Sequence, residues 1–168
     1  REGVKQDTEV RVLYSGEALH LLFLAADTHI SAAVTELNGP VCTDSCVEFF
    51  ATAQPDRAPD YFNLEINCCG TLLGGSGPDP HPRTSIPADL ASRIGIYHSV
   101  PGPVKSESPE DNGWVIQASV PFGVLNGFAR VPAPGSGTVW KVNFYRIGGL
   151  TDPQFGVWAD IEWEKPDY

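Results

Sequence analysis

The chain has 168 residues, with 11 basic against 21 acidic side chains, a formal charge of −10 and a hydrophobic share of 42%. That length buries a core without a metal or a disulfide, and that composition excludes global disorder. An acidic surface with no Lys/Arg cluster excludes nucleic acid and anionic membrane as partners and suits a neutral one. No run of about 18 apolar residues exists, so no membrane insertion is expected. No signal peptide is visible. The absence of methionine reads as a trimmed or mature chain, and the expected location is secreted, periplasmic or cell-surface.

Fifteen prolines and seventeen glycines separate short runs rich in Val, Ile, Phe, Tyr and Trp, the pattern of an all-β sandwich. In chain order the strands expected are 9–14 (EVRVLY) and 18–26 (ALHLLFLAA), joined as a hairpin through the Ser-Gly turn of YSGEAL. Next come 46–53 (CVEFFATA), 60–69 (DYFNLEINCC), 93–98 (RIGIYH), 113–121 (GWVIQASVP) and 138–147 (TVWKVNFYRI), with a weak eighth at 155–161. PADLAS (87–92) predicts one helical turn, started by Pro87. PFGVLNG (121–127) predicts a second, ending at Gly127. GGSGPDPHPRTSIP (74–87) and SVPGPVKSESPEDNG (99–113) read as long surface loops. The fold class is therefore all-β: one antiparallel β-sandwich over 1–168, immunoglobulin- or jelly-roll-like, with one or two short helical turns.

The segment DSCVEFFATAQPDRAPDYFNLEIN (44–67) reads as a hairpin with two unlike faces. Side chains alternate along a strand, so Val47 and Phe49 join Phe62, Leu64 and Ile66 on the buried side. Glu48 and Phe50 then face outward with Tyr61, Asn63, Glu65 and Asn67. Two carboxylates placed across from each other repel unless a cation, a shared proton or donors sustain them. WVIQASV leaves Gln117 opposite its apolar phase, and VWKVNFYRI leaves Lys141, Asn143 and Tyr145, with Arg146 at the strand end. Planar acceptors and donors of this kind suit sugar hydroxyls, which donate and accept at once. The apolar faces of a pyranose stack on aromatic rings. Trp114 and Trp140 are in phase with apolar runs and read as core, whereas Trp158 and Trp163 near the chain end are the candidate stacking rings.

DSCVEFF, YFNLEIN followed by Gly70, GWVIQASVPF, WKVNFYRIG and VWADIEWEKPDY, in that order, resemble the family 9 carbohydrate-binding modules from about residue 18 onward. The resemblance implies a sandwich of the DOMON type, no catalysis, and a sugar site on one sheet. Its characterised members clamp a sugar between two Trp rings among Glu, Gln, Asn and Arg, and some bind structural calcium. By motif, Glu48 matches the acidic residue of D-x-x-V-E-F. Gln117 lies on the strand before the Val-Pro step, where relatives often carry Glu, and Asn143 and Arg146 match N-F-Y-R. Where members offer a ring just before the first acidic motif, this chain reads PVCTD, with Cys42 and no Trp.

The expected sugar-binding set is thus Glu48, Asn63, Glu65, Gln117, Asn143, Arg146 and Trp158, with a carbohydrate as partner and glycan-degrading enzymes as associates. Arg146 has a second reading, as a structural neutraliser of the Glu48/Glu65 pair. A glycoside hydrolase built on that pair, or an interaction sandwich that has lost its site, are the alternatives. The four cysteines do not have zinc-knuckle spacing and read as free thiols, although Cys46 and Cys68 fall on opposing hairpin arms. No cofactor is expected. Asp44 with Glu48, or Asp7, Asp27 and Asp111, offer the oxygens that calcium takes, without a D-x-D-x-D-G loop. No catalytic nucleophile or P-loop is recognisable.

Overall fold

The computed structural model describes residues 5–56, 60–78 and 82–160. Among these residues ten strands form two antiparallel sheets packed face to face. In the first, β1 (Thr8–Tyr14) and β2 (Ala18–Ala25) form the expected hairpin. β2 then pairs with β8 (Trp114–Pro121), and β8 with β7 (Gly95–His98), giving the order β1-β2-β8-β7. The second sheet contains β3 (Cys46–Thr52), β4 (Tyr61–Asn67), β5 (Leu72–Gly77), β6 (Thr84–Ser85), β9 (Lys141–Gly148) and β10 (Gln154–Val157), in the order β10-β9-β3-β4-β5-β6. The antiparallel β-sandwich expected from the sequence is the fold found.

The core follows from period-two alternation. Leu19, Leu21 and Phe23 of β2, with Trp114, Ile116, Ala118 and Val120 of β8, face Val47, Phe49, Phe62, Leu64, Ile66 and Phe144 of the other sheet. Phe144 makes an edge contact with Phe23 at 6.1 Å between ring centroids and packs against Phe49 at 5.5 Å, so the sheets interlock through aromatic rings.

Two strands were hidden in the sequence. GGSG (74–77) reads as loop, yet Leu72–Gly77 is strand β5, paired antiparallel with β4 and then with β6. The glycines make room rather than a turn. A Cβ on Gly74 would sit 2.7 Å from Cγ2 of the buried Ile86, so only hydrogen there lets the returning chain pack onto the sheet. The weak eighth strand starts one residue earlier, at Gln154, and the described part ends at Val157; the part of that expectation beyond residue 160 lies outside the described residues.

The first helical turn is α1 (Ala88–Ala91), after Pro87 as expected. The second, α2 (Phe122–Ala129), runs two residues past the expected stop and ends at Arg130 in the left-handed region, φ 55°. Gly127 is inside that helix for packing: a Cβ there would lie 2.8 Å from Leu90 Cδ1 of α1.

Candidate functional site

The outer face of the six-stranded sheet carries the polar residues of the central hairpin. Register places Glu48 directly opposite Glu65 on one side and Tyr145 on the other, and Phe50 between Asn63 and Asn143. Directly opposed residues hold their Cβ atoms about 4.5–5.5 Å apart. The two carboxylates are therefore neighbours on one face, beside half-buried aromatic rings. Phe50 stacks on Tyr61 at 5.8 Å and meets Tyr145 edge-on at 5.0 Å.

The pair sits in a dry setting. Glu48 is 8% exposed, and among the described residues neither carboxylate has an ion-pair partner. Burial first, and then the charge of Glu65, raises Glu48 to about 8, against a weak thiol hydrogen bond from Cys46 Sγ at 3.9 Å. Burial also raises Glu65. The field of Arg83 and a 2.6 Å hydrogen bond donated by Asn63 Nδ2 oppose that rise. Two like charges this close and this poorly solvated favour retaining a proton.

Arg83 is the residue the sequence reading missed, because it lies in a segment read as loop. Its guanidinium carbon stands 4.6 Å above the Tyr61 ring, and its Nη2 donates to the Gly75 carbonyl at 3.0 Å. Gly75 leaves the space: a Cβ there would be 3.0 Å from both Arg83 Cζ and Asn63 Oδ1. Asn63 Oδ1 and Arg83 Nε, an acceptor and a donor, are buried on either side of this gap without partners among the described residues. The signal available in the sequence was the glycine spacing, Gly75 and Gly77, opposite Asn63 and Tyr61.

Cys42, in the short 3-10 turn Val41–Thr43, also belongs to this face. Its exposed thiol is held above its ordinary value, first by desolvation and then by the charges of Glu65 and Glu48. The position read as lacking the family ring therefore stands at the rim of the carboxylate pair.

Asn143 shares the face by register, but its side chain reaches sideways. Its Nδ2 donates to the Ala159 carbonyl at 3.0 Å, and its Oδ1 accepts from Ala159 N at 3.1 Å, extending the sheet ladder beyond β10. A second Nδ2 contact reaches the Tyr145 hydroxyl at 3.4 Å.

Three expected members are elsewhere. Arg146 follows Tyr145, and one residue along a strand reverses the face. It is 4% exposed between the sheets and donates from Nη2 to Asp27 Oδ2 at 2.6 Å. That carboxylate also accepts from Trp114 Nε1 at 2.9 Å, while the guanidinium lies 4.8 Å from the Trp114 ring. Gly148 on the same inner face admits the guanidinium, since a Cβ there would meet Arg146 Nη1 at 2.6 Å. Arg146 thus neutralises Asp27, not the Glu48/Glu65 pair. Gln117 is exposed on β8, on the outer face of the other sheet between Leu22 and Tyr97. Trp158 is 66% exposed, but its backbone N–H donates to the Phe144 carbonyl and its ring rests edge-on against Phe144 at 5.7 Å, on the inner flank. Trp163 lies outside the described residues.

Three of the carboxylates considered for calcium are engaged as hydrogen-bond acceptors. Asp27 serves Arg146, Trp114 and the His29 amide, Asp44 accepts from Ala33, Val34 and Asn67, and Asp111 accepts from Ile30 and Ser108. Among the described residues no group of three or more His, Cys, Asp or Glu is placed to hold a metal ion. The four cysteines are free, as read from the sequence. A shallow groove of about 350 Å³ beside α1, lined by Thr35, Cys69, Thr71, Ala91 and Ile96 among others, contains no charged group. The carboxylate face is the better candidate because, unlike this groove, it combines charged acceptors, donors and rings.

The family model for carbohydrate-binding family 9 matches residues 3–168. The chain belongs to carbohydrate-binding family 9. As a family 9 chain it is similar to a candidate carbohydrate-binding protein from Bacteroides uniformis ATCC 8492, with 25% identity and a TM-score of 0.82 over 98% of this chain and 74% of that one. It also shares its fold with a family 9 module from Caldicellulosiruptor kristjanssonii, solved with glucose (15% identity, TM-score 0.55) and with cellotriose (14%, 0.56). The family 9 chain covers 90% and 92% of itself in these two matches and 64% of each module. No curated protein sequence matches it.

Proposed function

We propose that this chain is a non-catalytic carbohydrate-binding module that takes a mono- or oligosaccharide on the outer face of its six-stranded sheet. The observation that carries the reading is the Glu48–Glu65 pair set among Asn63, Arg83 and the rings of Phe50, Tyr61 and Tyr145. Carboxylate and amide oxygens accept from sugar hydroxyls, guanidinium and amide N–H groups donate to them, and the rings meet the C–H faces. Family membership and the glucose and cellotriose complexes of the structural neighbours support the ligand class.

The same geometry speaks against hydrolysis. A glycosidase needs its two carboxyl groups flanking the scissile bond, whereas paired neighbours on one sheet face approach a ligand from the same side. Residues 1–168 then act as one binding module that supports polysaccharide capture or degradation alongside glycan-degrading enzymes, at a secreted, periplasmic or cell-surface location. Isothermal titration with glucose, cellotriose and a wider glycan panel tests the reading. Expected is saturable binding between micromolar and millimolar with no reducing-sugar release. Heat signals indistinguishable from dilution for every sugar would overturn it.

A further inference from the structure

We propose that Glu48 and Glu65 hold one proton between them and that this proton is a working part of the sugar site, so that a neutral sugar binds the singly protonated pair and is released as the pair loses its proton. The inference rests on the carbohydrate-binding reading above. It deepens that reading by assigning the two acids opposite roles. Glu48 is the neutral acid and donates its O–H to a ligand hydroxyl. Glu65 is the carboxylate and accepts from one.

The geometry fixes this division. The two residues are directly opposed in register on the same face. Glu65 is the one with ionic support: Asn63 Nδ2 donates to its Oε1 at 2.6 Å, and the Arg83 field reaches it. Among the described residues Glu48 has only the Cys46 thiol at 3.9 Å, and it is almost fully buried. A carboxylate left without donors in that setting is costly, and a proton removes the cost.

Among the described residues, the groups next to Glu48 supply no positive charge. From its own strand comes Cys46, from β4 Glu65, from β9 Tyr145 as its register partner, and from the 3-10 turn Cys42. Arg83, whose field does reach this face, is over Tyr61 and acts on Glu65. Arg146, one residue along β9, is committed to Asp27 on the inner side. Tyr145 and Cys46 are held above their ordinary values by burial first, with the charge of Glu48 adding to the rise, so they stay neutral when the pair ionises. One proton shared by two acids gives one donor and one acceptor side by side. A sugar hydroxyl, which donates and accepts together, meets both needs at once.

The test is a titration of the whole chain with glucose and with cellotriose from about pH 6 to about pH 9.5, with circular dichroism at each pH to confirm the folded state. Affinity is expected to be level on the acid side and to fall by up to about tenfold per pH unit above the pair's ionisation. Titrations in two buffers of different ionisation enthalpy should show uptake of about half a proton per sugar bound near that pH, approaching about one at a unit or more above it. In E48Q, where an amide N–H replaces the acid O–H, the slope should vanish. Binding by the folded wild type that is flat across the whole range, without proton uptake, overturns the inference and leaves the sugar site standing. A slope that persists in folded E48Q overturns it too. Silence toward every sugar at every pH overturns the sugar site itself, and the inference with it.

Discussion

Arg146 and Asp27 are joined at 2.6 Å in the interior, one from β9 of the six-stranded sheet and the other from the loop that leaves β2. Asp27 also holds Trp114 of β8. The ion pair therefore ties the two layers together and stands behind the carboxylate face, not on it.

This arrangement predicts an asymmetry between its two partners. Asp27→Ala strands a buried guanidinium whose Nε and Nη1 already lack partners among the described residues, and should cost about 3–5 kcal/mol. Arg146→Met leaves Asp27 with the Trp114 and His29 donors and should cost less. Urea unfolding measures both. Where Arg146→Met is folded, glucose affinity should stay within about twofold of wild type. A loss of binding well beyond that would place Arg146 back in the site.

The carboxylate pair sets a pH dependence of stability. Glu48 ionises at about 8 in the folded chain against an ordinary value of 4.5. Between those values the folded state holds a proton that the unfolded state has lost. Stability from this group is therefore full below pH 4.5 and declines as pH rises toward 8, by an amount on the order of a few kcal/mol. Thermal melts from about pH 5 to about pH 9 should show a falling Tm, and Glu48→Gln should remove most of the slope. A Tm that rises over this interval would refute the assignment.

Cys42 stands at the rim near Glu48 and Glu65 without a ring. Cys42→Trp should add a stacking surface and tighten glucose or cellotriose binding by about two- to tenfold, read by the same titrations. Unchanged affinity in the folded variant would mean that the sugar does not pass the 3-10 turn.

Gly74→Ala should cost about 1–3 kcal/mol because its methyl would overlap Ile86. Combined with Ile86→Ala, the loss should be smaller than the sum of the two single losses. Strict additivity in chemical denaturation would show that the glycine serves another purpose.

Alternation made much of the sheet legible. The parity of VEF and NLEI places Val47, Phe49, Leu64 and Ile66 in the core and leaves Glu48, Asn63 and Glu65 outside, which is how the strands lie. The same rule, applied one step further, would have turned Arg146 inward, because Asn143 and Tyr145 are on the odd phase. Gln117 could not be placed by parity. Its strand's outer face was readable, but which sheet contains that strand depends on pairing between residues far apart in sequence. β5 was illegible for a different reason: glycine leaves no side-chain pattern, and the information sits in what packs onto it, Ile86 and Arg83. Trp158 showed its exposure but not its side, since a ring at a sheet edge answers to the strand beside it.

The positions of the tryptophans bear on how ligand entry can be followed. Trp114 is buried beside Arg146, Trp140 packs on Phe62 and Phe122, and Trp158 leans on Phe144. None of these three indoles touches the carboxylate face. In a chain carrying Trp163→Phe, intrinsic emission should hold steady through a sugar titration, and tyrosine absorbance from Tyr61 and Tyr145 becomes the native optical reporter of occupancy.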